Sequence, residues 1–266
     1  MVANLSKIPL AGVGHVILVS SAKGGVGKST VAVNLAIALK NIGREKKVGL
    51  LDADIYGPSL PKMMNLRVLP EINRQSLMIP PVNFGIHCMS MGFLVKEGDA
   101  LTWRGPIVMS AVQKLLRGVL WGPLDYLVID MPPGTGDVQI SISQNIPVSG
   151  AVIVTTPQEI ALLDARKGIT MFRNLKIKVI GIVENMSVFV CEKCNHQTHI
   201  FGKDGARNLA QESETCLLGT IPLNKFLRET CDEGKPLMAF ESDLSLRKAF
   251  TDVASNLIEN LPPPLT

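Results

Sequence analysis

Short runs of consecutive apolar residues recur along the chain, each followed by a stretch whose apolar positions repeat at helical spacing. The runs predict strands over residues 16–20, 47–52, 86–91, 126–130, 151–155, 179–184 and 217–221. The stretches between them predict helices over 30–42, 106–119, 138–145, 160–175, 205–213 and 245–260. Several strands lack the apolar–polar alternation of a half-exposed sheet, as expected where helices cover both faces. Strands alternating with helices predict an α/β fold, one domain built on a doubly wound, mostly parallel sheet with sites at the C-terminal strand ends. One segment, 187–202, breaks the rhythm: it is polar, follows a strand and reads as a loop insertion. The expected organisation is an N-terminal extension over 1–13, a domain over 14–261 and a tail over 262–266, where three prolines end the last helix.

Composition narrows the class. The 266 residues are 46% apolar and 19% charged, values of an ordinary folded soluble chain. The net charge of +4 is small and the basic residues are scattered, which argues against a nucleic-acid partner. The longest basic group, Arg44-Glu45-Lys46-Lys47, reads as a solvated helix end. No run approaches the roughly 20 apolar residues of a membrane span, so no stable membrane insertion is expected. The first residues, Met1 to Pro9, show neither a signal-peptide core nor an Arg-rich transit segment, and five cysteines in so long a chain point to a reducing compartment.

Lys23-Gly24-Gly25-Val26-Gly27-Lys28-Ser29-Thr30 lies between the first strand and the first helix. Strand, glycine-rich loop and helix in that order make a phosphate cradle, because bare backbone N–H groups and the helix dipole both face an anion. Lys28 would meet the β- and γ-phosphates and the Ser29 hydroxyl a Mg²⁺ ion. The general pattern places glycine where this chain has Ala22, and Lys23 adds a second lysine at the loop's start.

Two further strand ends carry acids. Asp52-Ala53-Asp54 closes the second strand; one carboxylate could assist Mg²⁺ through water and the other orient an attacking water, although the pair could also be a helix cap. Asp130-Met131-Pro132-Pro133-Gly134-Thr135-Gly136-Asp137 ends a buried strand in an acid and then a glycine loop free to move with a γ-phosphate. Asn224-Lys225-Phe226-Leu227 lacks the acid that guanine-binding phosphate-loop proteins carry there, so ATP is expected rather than GTP. Asn185 stands where it could meet a base edge, or simply form a turn.

Cys191-Glu192-Lys193-Cys194 is a second chemical feature. A turn sets two such sulfurs on one side, yet a [4Fe–4S] cluster asks for four thiolates, a count that a two-fold dimer would complete. A zinc knuckle with His196 and His199 and a redox pair are the competing readings. Cys88 and Cys216 read as buried small hydrophobes in strands, Cys231 as a thiol beyond a helix end without a metal-spaced partner, and His15 and His87 as satisfied polar groups. The methionines at 63, 64, 89 and 91 are expected in the core.

The loop with its extra lysine, Asp52-Ala53-Asp54-Ile55-Tyr56-Gly57-Pro58-Ser59 and the segment 130–137 resemble the deviant Walker A ATPases of the MinD/Mrp superfamily, specifically the Mrp branch. Within it, Pro61-Lys62-Met63-Met64-Asn65-Leu66, Cys88-Met89-Ser90-Met91-Gly92-Phe93-Leu94-Val95, Asn185-Met186-Ser187-Val188-Phe189 and Thr198-His199-Ile200-Phe201-Gly202 are similar to the mitochondrial nucleotide-binding-protein-like iron–sulfur carriers. The resemblance runs from about Gly14 to the last helix and implies a P-loop ATPase domain of the SIMIBI class.

It further implies a homodimer in which Lys23 reaches the partner's ATP, Asp54 positions water, Ser29, Asp52 and Asp130 serve Mg²⁺ and Asn185 meets adenine. Cys191 and Cys194 would then share a [4Fe–4S] cluster between two copies. The implied function is that of an assembly chaperone with slow ATPase activity as a switch, taking clusters from upstream donors and delivering them to apoproteins of respiratory complex I. The implied compartment is the mitochondrial matrix, with the cytoplasm as alternative. A MinD/ParA-like positioning ATPase would share every nucleotide motif but should end in a basic amphipathic helix, whereas residues 254–261 contain no lysine or arginine. A zinc-stabilised nucleotide-binding module is the third reading.

Overall fold

Unbroken apolar runs become strands buried along their whole length. All five residues of β2 (Val48–Asp52) and all six of β8 (Gly150–Thr155) are buried. A computed structural model describes residues 7–43, 46–94, 105–241 and 243–265. The other strands are β1 (Val13–Ser20), β3 (Glu71–Ile72), β4 (Met78–Ile79), β5 (Val82–Asn83), β6 (Ile86–Ser90), β7 (Leu124–Asp130), β9 (Val179–Val190), β10 (Gln197–Thr198) and β11 (Cys216–Leu223). The helices are α1 (Lys28–Ile42), α2 (Leu60–Met63), α3 (Gly105–Arg117), α4 (Asp137–Asn145), α5 (Glu159–Asn174), α6 (Gly205–Glu212), α7 (Lys225–Asp232) and α8 (Leu244–Asn260). Residues 1–6 of the expected extension, Arg44 and Glu45 of the basic group, Val95 of the quoted segment and Thr266 of the tail lie outside the described residues.

The main sheet has nine strands in the order β10-β9-β8-β1-β7-β2-β6-β5, with β11 also paired to β9. Seven of them run parallel; only β10 against β9 and β5 against β6 are antiparallel. This is the expected doubly wound, mostly parallel sheet. The direction of winding changes at β1, whose neighbours are β7 and β8, so the crevice beyond its C-terminal end is where such sheets bind ligands. Helix α1 leaves that end with every residue from Val31 to Leu39 buried between the sheet and α8. A buried leucine such as Leu35 or Leu39 contributes about 1.5–3 kcal/mol relative to exposure. Met63, Met64, Met89 and Met91 are all buried, as expected. Among the described residues no helix is long and apolar enough to cross a membrane.

Three differences from the sequence pattern have local causes. Strand β9 continues past Glu184 to Val190, because β11 stays beside it through Ile221–Asn185 and Leu223–Phe189. Met186, at φ 56, absorbs the irregularity within that stretch. Residues 187–202 are therefore not a plain loop: Ser187 to Val190 finish β9, a turn follows, and β10 returns with Thr198 opposite Phe189. Helix α7 is absent from the pattern because only Leu227 and Cys231 of its eight residues are buried. Cys231 thus lies within a helix, and Cys216 is exposed at the start of β11 rather than packed as a hydrophobe.

Candidate functional site

Residues 21–27 form a loop at the C-terminal end of β1. Gly25 and Gly27 take φ of 82 and 83°, the left-handed region that favours glycine. Gly27 caps α1, and a Cβ there would lie 2.1 Å from the Asn185 side-chain nitrogen. Ala22 is not among the residues with positive φ, so the backbone needs no glycine at that position. Val26 is buried, Gly24 and Gly25 are exposed, and Lys23, Ser29 and Thr30 are half-buried. The first turn of α1 holds no acidic residue, leaving its N–H groups and dipole unopposed.

Buried Lys28 pairs with Asp130, and its Nζ is 3.2 Å from the Ser29 hydroxyl, which also bonds to Asp130. Asp52 and Asp130 are neighbours in the β2–β7 register. One Asp52 oxygen accepts from the Asp54 N–H; the other accepts from the N–H groups of Ser59 and Leu60 and the Ser90 hydroxyl, at 3.0–3.2 Å. Burial, with Asp130 alongside, pushes the Asp52 carboxyl up to about 7. Burial also raises Asp130, opposed by Lys28 and Ser29. This donor set is made of hydroxyl and carboxylate oxygens, the chemistry a Mg²⁺ ion prefers.

Asp54 accepts from the Gly57 N–H at 3.2 Å and lines a cavity of about 790 Å³ with Tyr56 and the 132–139 loop. That loop is tied to the phosphate loop by the Gly134 N–H to Ser21 oxygen bond of 2.9 Å. Gln139, unforeseen in the sequence, donates from one buried amide to the carbonyls of Pro132, Pro133 and Gly134. Nothing in its type or spacing distinguishes it. Ser90, the donor to Asp52, was equally unmarked.

A second cavity, about 460 Å³, lies on the other side of the phosphate loop between Gly27, Thr30, Asn185, Pro222 and Leu227. Asn185 is buried and donates to the Val26 carbonyl at 2.8 Å. Asn224 is a helix cap, accepting from the Leu227 N–H. The fold thus gathers residues 23–30, Asp52, Asp54, Asp130 and Asn185 at one end of the sheet.

Cys191 and Cys194 are not part of that cluster; they sit at the tip of the β9–β10 hairpin. Its turn is closed by Cys191 N–H to His196 oxygen at 3.0 Å and Asn195 N–H to Cys191 oxygen at 2.8 Å. The N–H groups of Lys193 and Cys194 and the Cys194 thiol point at the Cys191 sulfur and hold its thiol below the usual range. His199 turns to the Ser187 carbonyl, 3.0 Å away. Among the described residues no three His, Cys, Asp or Glu side chains converge on a metal-sized point.

The family model of the NUBPL iron-transfer P-loop NTPases matches residues 12–258. The iron-sulfur cluster transfer protein NUBPL of Mus musculus is 59% identical over 253 residues, 95% of this chain and 79% of the relative. The iron-sulfur protein required for NADH dehydrogenase, mitochondrial, of Arabidopsis thaliana is 54% identical over 256 residues, 96% of this chain and 82% of the relative. Among solved structures, the nucleotide-binding protein of Archaeoglobus fulgidus in complex with ADP aligns with a TM-score of 0.76 at 38% identity, over 88% of this chain and 91% of that one.

Proposed function

Because the chain belongs to the NUBPL iron-transfer P-loop NTPase family, we propose that it is an ATP-dependent carrier that holds a [4Fe–4S] cluster between two copies and hands it to apoproteins. The observation that carries this reading is that one strand, β9, holds Asn185 against the phosphate loop and ends at Val190, directly before Cys191 at the hairpin tip. A change in how Asn185 is held is passed to the thiol turn along continuous backbone, with Met186 at φ 56 between them.

In this reading the backbone N–H groups of residues 24–30 wrap the phosphates and Lys28 leaves Asp130 for the β- and γ-oxygens. Ser29 and Asp130, with Asp52 behind them, hold Mg²⁺, which when bound neutralises charge on the phosphates. Asp54 orients the water for a slow hydrolysis that serves as a switch, and Lys23 reaches the partner copy's nucleotide. Asn185 offers its side-chain oxygen to the adenine amino group. The Gly134–Ser21 contact lets the 132–139 loop respond when the γ-phosphate leaves.

Each chain contributes Cys191 and Cys194 to the transported cluster, and the same pair of a second copy completes four thiolates. Upstream donors supply the cluster. The name of the Arabidopsis relative supports complex I subunits as recipients and the mitochondrial matrix as the compartment. Anaerobic reconstitution tests the ligand assignment. The parent should gain one four-iron cluster per two chains, and a Cys191→Ala/Cys194→Ala chain none; equal iron and sulfide in both would refute it.

A further inference from the structure

Gln139 is 2% exposed at the third position of α4, beneath a loop whose residues 133 and 135–137 face solvent. Glutamine at that place ordinarily turns its oxygen back to the helix cap. Here the amide nitrogen donates further back, to the carbonyls of Pro132 at 2.9 Å and of Pro133 and Gly134 at 3.1 Å. The two prolines have no N–H, so their carbonyls are the polar handles of that stretch of backbone. Gly134 differs. Its N–H is bonded to the Ser21 carbonyl at 2.9 Å, its φ is 99°, and a Cβ there would meet no atom within 4 Å. The stem of the loop is stiff and held from inside, while the Gly134 peptide has room to turn. The amide nitrogen carries two protons, and three carbonyls share them. If the Gly134 carbonyl turns away, two protons keep two acceptors and no buried donor is stranded.

We propose that Gln139 is a positioning residue through which this loop meets the γ-phosphate: it pins Pro132 and Pro133 while the Gly134 peptide moves between the Ser21 carbonyl and the phosphate. The proposal rests on the reading of this end of the sheet as an ATP site with Asp54 directing water. Asp54 and residues 132–139 line the same cavity of about 790 Å³, so the loop's position shapes the space beside Asp54. A γ-phosphate brings charged acceptor oxygens that compete with the Ser21 carbonyl for the Gly134 N–H. Turning that peptide towards them takes its carbonyl from Gln139, the bond the amide can lose at no cost in unpaired protons. The bonds to Pro132 and Pro133 remain, so the glycine swings about a fixed stem. Without the amide the stem loses its inner hold, and the Gly134–Ser21 bond that remains is the one a γ-phosphate removes. Hydrolysis then suffers more than binding, because Lys28 and the N–H groups of residues 24–30 grip the phosphates either way. ADP, which has no γ-phosphate, is blind to Gln139.

The test uses the full chain with Mg²⁺ and compares ADP, a non-hydrolysable ATP analogue and ATP. In the parent, deuterium exchange of the peptide spanning 131–140 should differ between ADP and the analogue. Gln139→Met keeps the length of the side chain and removes its donors. It should exchange about tenfold faster there without nucleotide, lose the difference between ADP and the analogue, and bind ADP within about twofold of the parent. Its kcat for ATP should fall about tenfold with KM within about threefold. Gln211→Met, at an exposed glutamine of α6, should behave as the parent. If the methionine chain does not fold, Gln139→Asn, whose amide stops one carbon short of the carbonyls, carries the same comparison. Parental exchange and kcat in the variant overturn the proposal. So does a loss of ADP affinity as large as the loss of kcat, which marks a merely structural residue. A parent without ATP hydrolysis overturns the switch reading instead, and the exchange comparison still decides Gln139.

Discussion

The side-chain nitrogen of Asn185 donates to the main-chain oxygen of Val26 at 2.8 Å. A carbonyl only accepts, so the amide cannot be turned the other way, and the Asn185 oxygen is what remains for a ligand in the 460 Å³ cavity. Adenine presents an amino donor to such an oxygen, whereas guanine presents an acceptor that repels it. ATP should therefore bind more tightly than GTP. Asn185→Ala should cost about 1 kcal/mol, about fivefold in ATP affinity, and abolish the preference. Calorimetric titration of both nucleotides checks this, and a preference that survives the substitution would show that the base is read elsewhere.

Lys28 and Asp130 are both buried and paired, with Asp52 beside them. Removing one member of a buried pair strands the other charge at a cost of about 3–5 kcal/mol. Nucleotide-free Lys28→Met should lose that much stability in urea, while Lys23→Met, at a half-buried position, should lose little. The double variant Lys28→Met/Asp130→Leu should recover part of the loss. Equal urea midpoints for the two lysine variants would contradict the picture.

Glu184 is buried against the start of α6, where the Ala206 N–H donates to it at 2.8 Å. Burial, with Asp204 adding, raises its carboxyl above the ordinary 4.5, against the pull of Ala206, Arg207 and His199. The folded state thus keeps the proton to higher pH than the unfolded state. The associated stability is full at acid pH and is lost as pH rises from about 4.5 through the folded value. Glutamine keeps an acceptor for Ala206 without the charge. Glu184→Gln should match the parent near pH 4 and exceed it at pH 7 in parallel urea titrations; the opposite order at pH 7 would reverse the assignment.

The central sheet was legible because its strands carry short consecutive apolar runs, as in Leu50-Leu51 and Val152-Ile153-Val154, without the alternation of a half-exposed sheet. The phosphate loop was legible because its glycines and lysine have one spacing. What the sequence concealed depends on tertiary partners. Ser187 is polar, yet its hydroxyl bonds the Ile221 carbonyl, so β9 continues through it. Helix α7 has an apolar side of Phe226, Leu227 and Cys231, but its eight residues are too few for that side to repeat as a readable stripe. Asp52 gave no hint that it would bind its own following turn, because that requires the chain to bend back at Ser59 and Leu60. Gln139 acts only through carbonyls that the fold brings to it.

The five thiols should react in an order set by their surroundings. Cys191 sits in a turn whose N–H groups favour the thiolate, while burial pushes the thiols of Cys88 and Cys231 up. In the metal-free chain at pH 7, iodoacetamide should label Cys191 first and leave Cys88 and Cys231 until unfolding. Time-resolved peptide mass mapping reports the order. Early labelling of Cys88 would mean that β6 opens.

Gly24 and Gly27 sit three residues apart in one loop and should respond oppositely to an added methyl group. A Cβ at Gly24 meets no atom within 4 Å, and Gly24 is not among the positive-φ glycines. Gly24→Ala should therefore leave the stability of the nucleotide-free chain within about 0.5 kcal/mol. At Gly27 two penalties act together. Its φ of 83° strains any side chain, by about 1–2 kcal/mol, and the Cβ would fall 2.1 Å from the Asn185 nitrogen. Asn185 must then move, breaking its bond to Val26 and freeing its amide to turn. Gly27→Ala should lower the urea midpoint by the equivalent of about 2–3 kcal/mol and, in the fraction that folds, erase the ATP preference as Asn185→Ala does. Combining the two substitutions separates strain from contact. If the clash with Asn185 matters, Gly27→Ala/Asn185→Ala should be more stable than the sum of the single losses implies. Strict additivity would leave backbone strain as the whole effect and remove the coupling between the loop and β9.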